Sequence, residues 1–112
     1  MNIALVDESI RFTKLPTSCI ELIWASGVRV LAMPTVYLAA VEWNKNDDGG
    51  ESVVCDWGSR VITLHGFGLQ RIPGCLIRGE ICAIMELPME ISEVTTGTVV
   101  TEIRTVEKKR EE

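Results

Sequence analysis

The chain has 112 residues, of which 46% are hydrophobic and 24% charged. That is the length of one domain and the composition of a globular one, far from the high-charge, low-hydrophobicity corner of disordered chains. Sixteen acidic against eleven basic residues give a net charge of −5. The only basic cluster, Lys108-Lys109-Arg110, is hemmed in by Glu107, Glu111 and Glu112, so the basic stripe that binds phosphates is missing and no nucleic-acid partner is expected.

Residues Met1 to Ser9 place Asp7 and Glu8 where a secretion signal needs a continuous apolar core, which reads as a cytoplasmic chain. Asn2 to Val6 and Ile10 to Lys14 are two short apolar runs split by Asp7-Glu8-Ser9, as in a hairpin or a kinked opening strand. In Cys19 to Trp24, Ile20, Leu22 and Trp24 share one face and Glu21 takes the other. Ser26-Gly27 turns the chain, and Val28 to Ala32 returns with the same period of two, the signature of a strand pair. The apolar stretch from Leu22 to Val41 contains Gly27, Arg29 and Pro34, so it reads as consecutive core strands and no membrane span is expected.

After Pro34-Thr35, Val36 to Trp43 begins with a segment compatible with a helical turn and ends extended. The polar run Asn44 to Glu51 is the clearest loop, joining a hairpin to Ser52–Trp57. Gly58-Ser59 turns into the strand Arg60–Leu64. Leu69, Ile72 and Leu76 lie at helical intervals, with Pro73 and Gly74 counting against a regular helix, so one short helical segment is expected near residues 68–77. Glu80 to Leu87 is apolar on both faces and reads as a central strand. Met89 to Gly97 is a connection, and Thr98 to Val106 is a β-branched strand. The expected fold is a single β-rich domain over residues 1–106, a small antiparallel barrel or sandwich of about seven strands, with a charged, disordered tail at 107–112. An α+β roll on a single sheet is the alternative.

Few residues carry chemistry. Cys19, Cys55, Cys75 and Cys82 show no Cys-x-x-Cys pair, and each has an apolar neighbour, as expected for reduced, buried thiols. Asn44-x-Asn46-x-Asp48-Gly49 echoes a calcium loop, but its twelfth position is Cys55, not the required acid, so a plain hairpin loop is expected. His65, the only histidine, follows a strand and precedes Gly66-Phe67-Gly68; it is a candidate for ligand binding or acid–base work. Trp43 and Trp57 are candidates for a ligand groove or interface. No catalytic residue, metal site or cofactor is assigned. The leading functional reading is a non-enzymatic interaction or regulatory module acting through a surface or as a homo-oligomer. A small-molecule or lipid-headgroup binding barrel, and a small enzyme or metal protein using His65, are the alternatives.

Overall fold

The computed structural model describes residues 9–27, 29–87 and 97–108. The expected strand at Asn2–Val6, nearly all of the 89–97 connection and the end of the tail at 109–112 lie outside them. Among the described residues eight strands form two four-stranded sheets, with one short α-helix and a turn of 3-10 helix.

The first sheet has the order β1-β7-β2-β3, built from β1 (Ile10–Phe12), β7 (Ile81–Met85), β2 (Cys19–Ile23) and β3 (Val30–Pro34). The second has the order β4-β5-β6-β8, from β4 (Ala40–Lys45), β5 (Glu51–Asp56), β6 (Arg60–Phe67) and β8 (Val99–Glu107). Every pairing is antiparallel except β2 with β7, which is parallel. A parallel pair needs a long crossover, and here the crossover is the β3–β6 segment together with the helix α1 (Ile72–Ile77).

The arrangement is sandwich-like and not a closed barrel, and it leaves no place for the single-sheet roll. The alternation anticipated for β2 is observed: Ile20 and Leu22 are buried while Glu21 is exposed. Their core joins Val53, Ile62, Leu64 and Val100 of the second sheet with Ile72 and Leu76 of α1. Pro73 does not prevent the helix because it lies in the first turn, where the missing N–H would have had no intrahelical partner. The expectation that strand pairing ends at Leu64 is corrected. β6 runs on to Phe67, because β8 offers partners as far as Val99.

Side chains and one backbone hydrogen bond fasten one sheet to the other where the β8 edge would otherwise be open. The Ile103 N–H donates to Glu86 Oε2 at 2.8 Å and the Ile103 carbonyl accepts from Trp24 Nε1 at 3.0 Å. The buried Ser9 hydroxyl accepts from the Val100 N–H at 2.9 Å, and the Leu87 N–H donates to the Val100 carbonyl at 2.8 Å. Two residues assigned to the charged tail belong to the fold: Glu107 closes β8, and Lys108 donates its N–H to Ser59 and its Nζ to Asp56.

Candidate functional site

The register of the second sheet assembles a polar row on its outer face. Ser52 of β5 lies opposite His65 of β6, and His65 lies opposite Glu102 of β8. Directly paired residues point to the same face, so three positions spread over 51 residues of sequence become neighbours. Arg104, two positions beyond Glu102 and therefore also on this face, reaches back with Nε 2.9 Å from Glu102 Oε2.

Just past His65 the pairing of β6 with β8 slips, from His65–Glu102 to Gly66–Val100. Thr101 is the extra residue of this bulge, and its hydroxyl donates to the His65 carbonyl at 3.2 Å. The bulge accounts for the glycines around it. A Cβ on Gly66 would overlap the Val99 carbonyl oxygen, and one on Gly68, whose φ is +67°, would overlap that of Gly97. Gly68 thus supplies a left-handed backbone angle, whereas Gly66 lies within β6 and is required by the close approach of β8.

The β4–β5 connection forms the second wall. It is shorter than the polar run suggested, since Asn44 and Lys45 belong to β4 and Glu51 to β5. The Asn46 N–H donates to the Gly50 carbonyl at 2.7 Å, and the Gly50 N–H to Asp48 Oδ1 at 2.9 Å. Between this tip and β8 lies an open cleft of about 450 Å³ whose lining includes Asn46, Asp48, Glu51, His65, Thr101, Glu102 and Arg104.

Glu51 is held by three donors, each at 2.8 Å: Trp43 Nε1 and the Leu69 N–H on Oε1, and the Gly68 N–H on Oε2. Burial by itself would raise the pKa of this carboxyl. The three hydrogen bonds, with Lys45 nearby, outweigh that and lower it. The Arg104 hydrogen bond likewise lowers the pKa of Glu102 against a smaller cost of burial, with the charges of Arg104 and His65 acting in the same direction. Both carboxyls are therefore anionic at neutral pH. The lining carries three carboxylates, Asp48, Glu51 and Glu102, against one guanidinium.

The row Ser52–His65–Glu102 has the residue types of a nucleophilic triad, but not its hydrogen bonds. The Ser52 hydroxyl donates to Asn46 Oδ1 at 3.3 Å, and the residue is only 8% exposed. Among the described residues no group of three or more His, Cys, Asp or Glu could hold a metal ion.

No protein-family model, curated protein or solved structure matches this chain.

Of the three sequence candidates, only His65 lines the cleft. Trp57 is 5% exposed in the core, with Nε1 donating to the Pro34 carbonyl at 2.8 Å. Trp43 packs against the core and acts on the cleft only through Glu51. Glu102, Arg104 and Thr101 were missed, since nothing local marks them out; finding them requires the β6–β8 register. The calcium-like Asn46 and Asp48 were noticed as a pattern, and the structure uses them as a turn and a wall. All four cysteines are free, with Cys55 and Cys75 buried and Cys19 and Cys82 half-buried. The expectation of uniformly buried thiols therefore holds for two of the four.

Proposed function

We propose that this protein is a non-enzymatic binding module, and that the cleft on the second sheet takes a small ligand bearing a cationic amine or guanidinium group. The excess of carboxylates in the lining is the observation that carries this reading. A ligand cation placed between Asp48 and Glu102 would meet oppositely charged acceptors, with Thr101 and Asn46 supplying neutral polar contacts. Such charge-assisted hydrogen bonds are about twice as strong as neutral ones. The openness of the cleft fits a weak, reversible ligand or the side chain of a basic peptide. Four free cysteines support a reducing, cytoplasmic setting, and the module works as a homo-oligomer.

The test is an amide-shift NMR titration with arginine methyl ester and spermidine, and with phosphate and acetate as controls. The cations are expected to shift His65, Thr101, Glu102 and the Asp48 turn, and the D48N/E102Q variant to abolish those shifts. Silence toward both cations at millimolar concentration, or shifts confined to another surface, would overturn the assignment.

The pairing of His65 with Glu102 favours a second reading, acid–base chemistry at the imidazole. It predicts a pH-dependent activity that is lost in His65→Gln while cation binding persists.

A further inference from the structure

Four strand ends of the first sheet fall level with one another. Phe12, the last residue of β1, lies opposite Ile81, the first of β7; Cys19, the first of β2, lies opposite Pro34, the last of β3. The parallel register of Glu21 with Ala83 sets Cys19 beside Ile81. The segments that enter or leave these strands therefore emerge together: residues 13–18, the 3-10 turn Thr35–Tyr37 and the end of α1. Hydrogen bonds join them. The Thr13 N–H donates to the Glu80 carbonyl at 2.9 Å, the Thr17 N–H to that of Gly79 at 3.0 Å, and the Thr35 N–H to that of Ser18 at 2.9 Å.

This end gathers exposed apolar side chains. Among the described residues the large exposed ones are Phe12, Leu15, Val36, Tyr37 and Ile77, all at this end, with Val30 and Val106 elsewhere. Leu15 is 77% exposed, Val36 79% and Tyr37 67%. Side chains that show so much of their surface stand clear of any groove wall, so they offer no preformed slot for a partner helix or strand. Whatever covers them must deform around them, as the headgroup layer of a lipid surface does.

Charge on the same segments chooses the lipid. Residues 10–18 and 69–80 carry Arg11, Lys14, Arg71 and Arg78 against Glu80 alone, in a chain whose net charge is −5. Arg11, Lys14 and Arg71 are exposed, and Arg71 lies over the Phe12 ring with Cζ 4.8 Å from its centroid. Arg78 is held by Glu80, with Nε 2.9 Å from Oε2. Basic residues beside an apolar insertion point strengthen attachment to anionic lipid by roughly fivefold each, and tyrosine suits the level of the headgroups.

We propose that this end of the first sheet docks the protein reversibly on an anionic lipid surface. Leu15, Val36, Tyr37 and Ile77 enter the headgroup layer, and Arg11, Lys14 and Arg71 meet its negative charge. The surface shares no residue with the carboxylate-lined cleft, so lipid docking and ligand binding can each fail without the other.

Vesicle co-sedimentation at low salt tests the proposal, comparing pure phosphatidylcholine vesicles with ones containing about one-third phosphatidylserine. Wild type should bind the anionic vesicles at least about tenfold more tightly, and added salt should weaken that binding. Lys14→Gln should weaken it about fivefold, and L15S/V36S at least about tenfold. V106S, exposed on β8 of the other sheet, should bind as wild type does. All these positions are exposed, so each variant should keep the wild-type melting temperature, which separates lost docking from lost fold. Wild type that ignores the anionic vesicles, equal binding to both kinds of vesicle, or a V106S loss as large as that of L15S/V36S would overturn the proposal. So would a wild type that ignores vesicles yet binds a soluble glutamate–leucine copolymer through Lys14 and Leu15, since the surface would then belong to an acidic protein partner.

Discussion

Replacing Glu51 by alanine should be among the most damaging single changes to a partly exposed residue of this protein. Its carboxylate accepts from Trp43 Nε1, the Leu69 N–H and the Gly68 N–H. It thus ties β4 and β5 to the segment that leads into α1. Gly68 is exposed and can turn to water, but Leu69 is fully buried and Trp43 is half-buried. Two donors are therefore stranded at about 1–3 kcal/mol each, for a total of about 3 kcal/mol. With a urea slope of roughly 1.2 kcal/mol/M, the unfolding midpoint should fall by about 2.5 M. Glu51→Gln keeps an acceptor for Trp43 and Leu69 but turns an amide toward the Gly68 N–H and removes the charge, so it should lose less. The comparison with glutamine also carries a pH signature. The folded-state pKa of Glu51 is lowered, so the stability from its charge is full above the unfolded value of about 4.3 and is lost as pH falls through the folded value. The gap between wild type and Glu51→Gln should be constant from pH 7 to about 5 and close in stronger acid. Urea titrations at a series of pH values measure this directly. An alanine variant as stable as wild type, or a glutamine gap that widens in acid, would refute the reasoning.

Gly66→Ala should cost at least about 2 kcal/mol, because its methyl group must displace the Val99 carbonyl in a packed strand pair. Calorimetry should show the lower melting temperature, and NMR should show loss of the Thr101 bulge; an unperturbed bulge would mean that β8 gives way easily. In native protein, a thiol reagent should modify Cys19 and Cys82 well before Cys55, whose thiol is desolvated and pushed up to about 12. Mass-mapped labelling in native and denatured samples checks the order, and early labelling of Cys55 would contradict its burial.

Local pattern was enough for the elements. The alternation of Ile20 and Leu22 against Glu21, the turn at Gly58-Ser59 and the β-branched run of Thr98 to Val106 each announce a strand, because a strand exposes its faces with a period of two whatever surrounds it. The doubly apolar Ile81–Met85 likewise announced a central strand, and it does lie between β1 and β2. Long-range register was not legible. No local signal says that β7 pairs parallel with β2, or that β8 slips by one residue beside His65, since both are set by which apolar faces can share one core. The cleft depends on that register: His65 meets Glu102 only because the pairing of β6 with β8 continues past Leu64. Composition and periodicity thus determined a β-rich domain. The choice of a sandwich over a barrel and the polar row on the second sheet were decided by tertiary packing, which brings together side chains that the sequence keeps far apart.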